Sequence, residues 1–358
     1  MASKTIFIAS VLIAIIATAA VTSGLFIAFY KTGTSTTSSQ GVTQVTRYVG
    51  GLTADEAPAY AAEAQGYFAQ NGIDVTPVIL SGTSAAEVAV AAGSSPDSFA
   101  LGDLYDLASI AVNNASLNQL VETGSTGIVN PVGMIFLTSS GITGPSSLVG
   151  KTIGVPFGSE SYNMFIPFLK NNGVSLNQVN IQNIGFSDLA DALFAHSVDA
   201  IVEFASDYAA LQPQGVSLNE PVSYILFSSY GLPPVGSGIV MQQNLVKNDP
   251  SVARAITNAT LYGYYYCIKN PGPCVQDFVN INPSFNYTSA LAEWQASLIY
   301  EVGYNATTIG TLTPLQFGYI APTTASNIVT LAVSVQGLTS TPDATSLYTD
   351  QFVQQPPS

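Results

Sequence analysis

Charge is scarce in this chain. Of its 358 residues only 8% are Asp, Glu, Lys or Arg, against about a quarter in an ordinary soluble protein. The eight basic residues are Lys4, Lys31, Arg47, Lys151, Lys170, Lys247, Arg254 and Lys269; set against 22 Asp and Glu they leave a formal net charge of −14. No basic stripe exists to neutralise phosphates, which excludes nucleic acid as a partner. Histidine and cysteine are nearly absent too. One histidine, His196, and two cysteines, Cys267 and Cys274, cannot assemble a usual zinc set, so no metal and no cofactor are expected. His196, in LFAHSVDA, reads as a solvated or capping residue at a helix end. No Ser–His–Asp, metal or nucleotide-loop constellation occurs, so no residue is assigned a catalytic role and the chain is not read as an enzyme.

Ser, Thr, Asn, Gln and 18 Tyr stand where charges would be. In strongly acidic surroundings carboxylates are protonated and unpaired basic groups repel one another, whereas neutral polar groups keep a surface soluble. The composition therefore suits an extracytoplasmic protein of an acid-living microbe, with lineage bias as the competing explanation. Unfolding of the purified protein at pH 3 would end the first reading.

The one long apolar run is Ile6–Tyr30, 25 residues without charge between Lys4 and Lys31. It is long enough to span a bilayer and longer than the 7–15 apolar residues of a secretory signal. An uncleaved anchor over residues 1–31 is the expectation. A signal cut after Ala17-Thr18-Ala19 and a pilin-like signal cut near Lys4-Thr5 are the alternatives. Residues 32–42, rich in Ser and Thr, read as a flexible stalk. Four Asn-x-Ser/Thr sequons, at Asn114, Asn258, Asn286 and Asn305, mark candidate glycosylation sites of an exported protein. Cys267 and Cys274 flank a Lys-Asn-Pro-Gly-Pro turn between two predicted helices. In an oxidising compartment a disulfide would staple that turn, with two free thiols or a redox pair as alternatives. The localisation expected from these features is the cell surface, anchored to the membrane by the N-terminal helix.

The most ordered pattern runs from Leu148 to Phe204. It predicts a strand at Thr152–Val155, a glycine turn at Gly158-Ser159 and a helix over Ser161–Asn172. A strand at Val179–Ile184, a helix over Asp188–Phe194 and a strand at Ala200–Phe204 follow, giving a βαβαβ unit with strands buried on both faces. Its signposts are Gly150-Lys151, Gly154-Val155, Gly158-Ser159, Gly185-Phe186-Ser187-Asp188 and Val198-Asp199-Ala200. Upstream stand Ala57-Pro58-Ala59-Tyr60, Gly66-Tyr67-Phe68, Ser81-Gly82-Thr83 and Gly102-Asp103. Downstream stand Tyr230-Gly231-Leu232-Pro233, Arg254, Gly263 and Asn270-Pro271. In this order and spacing the chain, from about Thr43 to Ser334, resembles the solute-binding proteins of ABC transporters in the thiamine-precursor/nitrate/sulfonate/taurine superfamily, and most of all the thiamine-precursor branch.

The resemblance implies an α/β, two-lobed type 2 periplasmic-binding-protein fold. Residues 43–130 and 235–338 would form one lobe and residues 131–234 the other, with two crossover strands as the hinge and residues 339–358 as a tail. It also implies a small-molecule ligand held between the lobes and delivery to an ABC permease. Candidate ligand residues at the strand ends are Tyr60, Gly82, Thr83, Asp103, Gly158, Ser159, Tyr162, Glu203, Asp207 and Tyr230. Aromatic rings can stack on a heteroaromatic ligand and carboxylates can accept from its N–H groups, which suits a pyrimidine thiamine precursor. Against this stands ordinary packing of an abundant residue type, and helix capping by Asp103 and Asp207. Anions of the sulfonate, taurine or nitrate kind are the alternative ligands, served by the helix N-terminus after Gly158-Ser159. A surface filament subunit or sensor ectodomain of the same fold is the alternative role. Tyr262, Tyr264, Tyr265, Tyr266 and Trp294 read as core.

Overall fold

The computed structural model describes residues 42–114, 116, 117, 119–127, 132–232, 236–301 and 318–354. The expected anchor over 1–31 and nearly all of the 32–42 stalk lie outside the described residues. Among those described, no helix is long and apolar enough to cross a membrane.

Alternating strands and helices build the first sheet. Strand β1 (Thr43–Val49) leads through a 3-10 turn at Ala54–Glu56 into α1 (Ala57–Ala64) and α2 (Tyr67–Gln70). Then come β2 (Ile73–Ile79), α3 (Thr83–Ala92), β3 (Ser98–Gly102), α4 (Leu104–Asn113) and β4 (Leu120–Ser125). The chain crosses to a second sheet with β5 (Val132–Leu137), β6 (Thr152–Val155), α5 (Glu160–Asn171), β7 (Asn180–Asn183) and α6 (Phe186–Phe194). That half continues through β8 (Ala200–Phe204), a 3-10 turn at Ala205–Asp207, α7 (Tyr208–Leu218) and β9 (Val222–Leu226). It returns as β10 (Gly238–Gln242), followed by α8 (Gln243–Asn248), α9 (Pro250–Lys269), α10 (Pro271–Ile281), α11 (Tyr287–Glu301) and α12 (Pro322–Gln336).

The first sheet has the order β2-β1-β3-β10-β4 and the second β7-β6-β8-β5-β9. In each, βαβ units supply parallel pairs, and the strand entering from the other half runs antiparallel: β10 against β3 and β4, β5 against β8 and β9. Central β5 and β10 are buried along their whole length. The second sheet departs from expectation at β7, whose Asn-Ile-Gln-Asn is mostly exposed. It is an edge strand with a neighbour on one side only, and three of its four side chains are exposed.

Local signals place the helices. Ser159 caps α5 by accepting from the Tyr162 N–H at 3.2 Å, and Asp103 caps α4 by accepting from the Asp106 N–H at 2.9 Å. Such caps satisfy N–H groups that a helix start leaves unbonded. Cys267, in the last turn of α9, and Cys274, in the first turn of α10, form a disulfide.

The halves are not separate bodies joined only at crossings. One apolar core runs from Tyr105 and Val240 of the first half through Met134, Phe165, Phe168 and Phe227 of the second to Ile328 and Val329 of α12. Within it the Phe168 and Phe227 rings stack at 4.0 Å. Helix α12 packs on both α4 and α5, and α11 packs on α10 and the Ala54–Glu56 turn on one side and on α7 and the Ala205–Asp207 turn on the other. The tail is docked where described. Leu347 and Phe352 are buried, and Tyr348 bridges to Glu122 at the free edge of β4.

One sequon expectation changes. Asn258 is buried and its side-chain oxygen accepts from the Gln354 N–H at 3.1 Å, so no glycan can be attached there. Asn114 and Asn286 are exposed; Asn305 lies outside the described residues.

Candidate functional site

The ends of the strands from both sheets converge on a cavity of about 60 Å³. Gly50, Gly51, Thr53, Asp55 and Glu56 come from the segment after β1, Thr83 follows β2, and Leu101, Ser237 and Tyr264 complete the first side. Glu160 at the start of α5, Phe186 at the start of α6 and Phe204 at the end of β8 form the other side.

The halves meet directly beside it. A Cβ on Gly82 would lie 2.2 Å from the Gly158 carbonyl oxygen, so the two glycine turns touch across the cleft. Next to them Asn163 of α5 donates to both Asp106 oxygens, at 2.8 and 3.0 Å, and to the Ser84 hydroxyl at 2.9 Å. Ser84 in turn donates to Asp106. This three-residue latch joins α3 and α4 of one half to α5 of the other. Burial raises the Asp106 pKa to about 6, against the opposing effect of its bonds to Ser84 and Asn163.

Of the residues expected at the site, Thr83 lines the cavity. Gly82, Gly158 and Ser159 form the interface beside it. Glu203 and Asp207 lie at the far end of β8 next to the lining Phe204. The other four stand in packing or capping contacts away from the cavity lining. Tyr60 is buried, its ring 4.4 Å from the Arg47 guanidinium and edge-on to Phe278. Asp103 is the buried cap of α4. Tyr162 packs its ring on Phe157, and Tyr230 sits edge-on to Phe168 inside the second half. None of these four lines the cavity. Tyr264, expected to be core, is both buried against Trp294 and part of the cavity wall.

The electrostatics of the cleft are acidic. Arg47 is fully buried and bound to Glu56 at 2.6 Å and to Glu63 at 3.5 Å. Burial alone would lower its pKa; the two carboxylates more than offset that and keep it charged. Among the described residues no basic side chain lines the cavity. Asp55, Glu203, Asp207 and Glu293 form one group of carboxyls, all with pKa values raised first by burial and then by each other, Glu203 to about 8. Glu87, Asp103 and Asp106 form a second group; burial raises all three, and neighbouring carboxyls raise Glu87 and Asp103 further. Sequence reasoning missed Asp55, Asp106, Glu160 and Glu293. The spacing of Asp106 three residues after a capping Asp103 was a usable signal; Glu293 had none, being brought to Ala54 across 239 residues.

Comparison with known proteins identifies this architecture. Residues 53–273, more than half the chain, match the family described as NMT1/THI5 like. The chain belongs to that family. It is 26% identical over 216 residues to the formylaminopyrimidine-binding protein of Halalkalibacterium halodurans, covering 59% of this chain and 62% of that one. It is 27% identical over 220 residues to the riboflavin-binding protein RibY of Chloroflexus aurantiacus, covering 60% and 59%. The chain thus spans about 60% of the length of these curated relatives. Among solved structures, the nitrate-binding protein NrtA of Synechocystis superposes with a TM-score of 0.65 at 12% identity, covering 87% of each chain. The aliphatic sulphonate-binding protein SsuA of Escherichia coli gives 0.63 at 10% identity, covering 88% of this chain and all of that one. At these identities the structural matches establish the two-sheet periplasmic-binding-protein fold.

Proposed function

We propose that this protein is an extracytoplasmic solute-binding protein, tethered at the cell surface by residues 1–31, that closes its two halves on a small molecule and delivers it to an ABC importer. The ligand is a donor-rich or cationic nitrogen heteroaromatic, of the aminopyrimidine type found among thiamine precursors. One observation carries the ligand class: the charged groups lining the cavity are Asp55, Glu56 and Glu160, with the neighbouring Arg47 already bound to Glu56 and Glu63. Carboxyls accept from amino and ring N–H groups, and Phe186, Phe204 and Tyr264 offer faces for a flat ring. An anion at the start of α5 meets Glu160 in the first turn, which offsets the attraction of the helix N-terminus. Both curated relatives are named for nitrogen heteroaromatic ligands. Solved structures named for sulfonate and nitrate share the fold at 10–13% identity, which says nothing of this cleft's chemistry.

The cavity of about 60 Å³ is well below the roughly 300–1,000 Å³ of ordinary small-molecule pockets. Entry of a ring therefore requires the halves to part at the Gly82–Gly158 contact and the Asp106–Asn163 latch. The test is thermal unfolding of the full-length chain with an aminopyrimidine, taurine, an alkanesulfonate or nitrate. A ligand at a hundredfold excess over its Kd stabilises by about 2.7 kcal/mol. Stabilisation by the aminopyrimidine, weakened by Glu203→Gln, supports the reading. Stabilisation by the anions and not by the pyrimidine refutes it.

A further inference from the structure

A second chemistry lies beside the cleft. Asp55 in the turn after β1, Asp207 in the turn after β8 and Glu293 on α11 each place a carboxylate oxygen within 4.8 Å of the other two. The ion pairs among the described residues are Arg47–Glu56, Arg47–Glu63, Lys151–Asp199 and His196–Glu220, and none reaches this group. Both Asp55 oxygens and Oδ2 of Asp207 are buried without a hydrogen-bond partner, on side chains 9% and 8% exposed. The hydroxyl of Ser206, on a fully buried residue, faces Asp55 and has no other partner. An unpaired buried carboxylate is costly. Repulsion between acids opposes the clustering; a proton shared between Asp207 and Glu293 offsets part of it, and a positive ligand would offset the whole.

We propose that Asp55, Asp207 and Glu293, with the Ser206 hydroxyl, bind a hard divalent cation of calcium size between the two halves. The donors are all oxygen, which selects hard cations over zinc or copper. Oxygens bound to Ca²⁺ at 2.3–2.6 Å lie no more than about 5 Å apart, in keeping with the spacing here. Glu293 is oriented for the role, because one of its oxygens accepts from the Ala54 N–H at 3.0 Å. Asp207 comes from the second half and Asp55 from the first, while α11 packs on both. The ion therefore ties the halves together and favours the closed arrangement; it takes up Asp55 and leaves Glu56 and Glu160 as the carboxyls facing a solute in the cleft. The scarcity of His and Cys led to the expectation of no metal; the three carboxylates of this group come together only in the folded chain.

The test uses the full-length chain, stripped with a chelator and dialysed to neutral pH. Titration with CaCl2 is followed by calorimetry and by thermal unfolding, and bound metal is counted by mass spectrometry. One Ca²⁺ per chain and a raised unfolding midpoint are expected. Asp207→Asn and, separately, Glu293→Gln weaken uptake at least tenfold, while Glu87→Gln, in the other acidic group, leaves it unchanged. Absence of stoichiometric uptake at millimolar Ca²⁺ overturns the proposal. So does uptake that both variants retain at full affinity. Stabilisation that appears only on acidification, without metal, also overturns it, because protons then neutralise the group.

Discussion

The latch residue Asp106 makes the stability of this protein depend on pH in a direction opposite to that of most salt-bridged proteins. Its carboxyl is 4% exposed and its pKa is raised to about 6 by burial, from an unfolded value of 3.8. Between those values the folded state holds a proton that the unfolded state has released. The resulting stability is complete below about pH 3.8 and is lost as the pH rises through about 6. A rise of about two pH units corresponds to ~3 kcal/mol, a large share of the 5–15 kcal/mol that holds a typical domain. Glu63, raised to about 7, and Glu203, raised to about 8, extend the same slope upward. The perturbation is Asp106→Asn, which keeps the shape and removes the ionisation. Equilibrium urea unfolding at fixed ionic strength with chelator present, from pH 4 to pH 8, is the assay. Wild type should lose stability steadily across that range. The variant should start about 1 kcal/mol lower at pH 4, for one hydrogen bond lost to Asn163 or Ser84, yet fall 2–3 kcal/mol less by pH 7. Parallel profiles, or wild-type stability that rises with pH, would refute the reasoning.

Three further outcomes follow from single contacts. Gly82→Ala drives a Cβ into the Gly158 carbonyl oxygen; we expect a loss of about 1–3 kcal/mol and a larger radius of gyration by small-angle scattering as the halves are wedged apart. Arg47→Met leaves Glu56 and Glu63 without their cation, costing about 3–5 kcal/mol in denaturant unfolding at pH 7 and less at pH 4, where both carboxyls take up protons. Peptide mapping by mass spectrometry of the protein from a glycosylating host should find glycan at Asn286 or Asn114 and none at the buried Asn258; a modified Asn258 would contradict the docked tail.

Much of the fold was legible because its signals are local. Glycine turns, alternating apolar strands and capping residues such as Ser159 and Asp103 act within a few positions of themselves. Strands Thr152–Val155 and Ala200–Phe204 stand where the pattern placed them, and the disulfide stands at its turn. The site was less legible. Tyr60, Tyr162 and Tyr230 were expected as ligand contacts because they flank strand ends; in the structure their rings pack on Arg47, Phe157 and Phe168 and do not line the cavity. A tyrosine near a strand end carries no mark of which neighbour will claim its face.

The order of elements and the acidic, cation-poor character of the chain were determined by sequence alone, since each rests on composition or on spacings of a few residues; the two-sheet architecture was implied by the family resemblance those spacings carry. Which acids meet was decided only by tertiary structure. Asp55, Asp207 and Glu293 come from three distant segments, and Asp106 finds Asn163 across the cleft. Burial then shifts their proton affinities upward, an effect that depends on what excludes water and not on the residue type. The net charge was visible from the start; where it is concentrated, and between which halves, is a property of the folded chain.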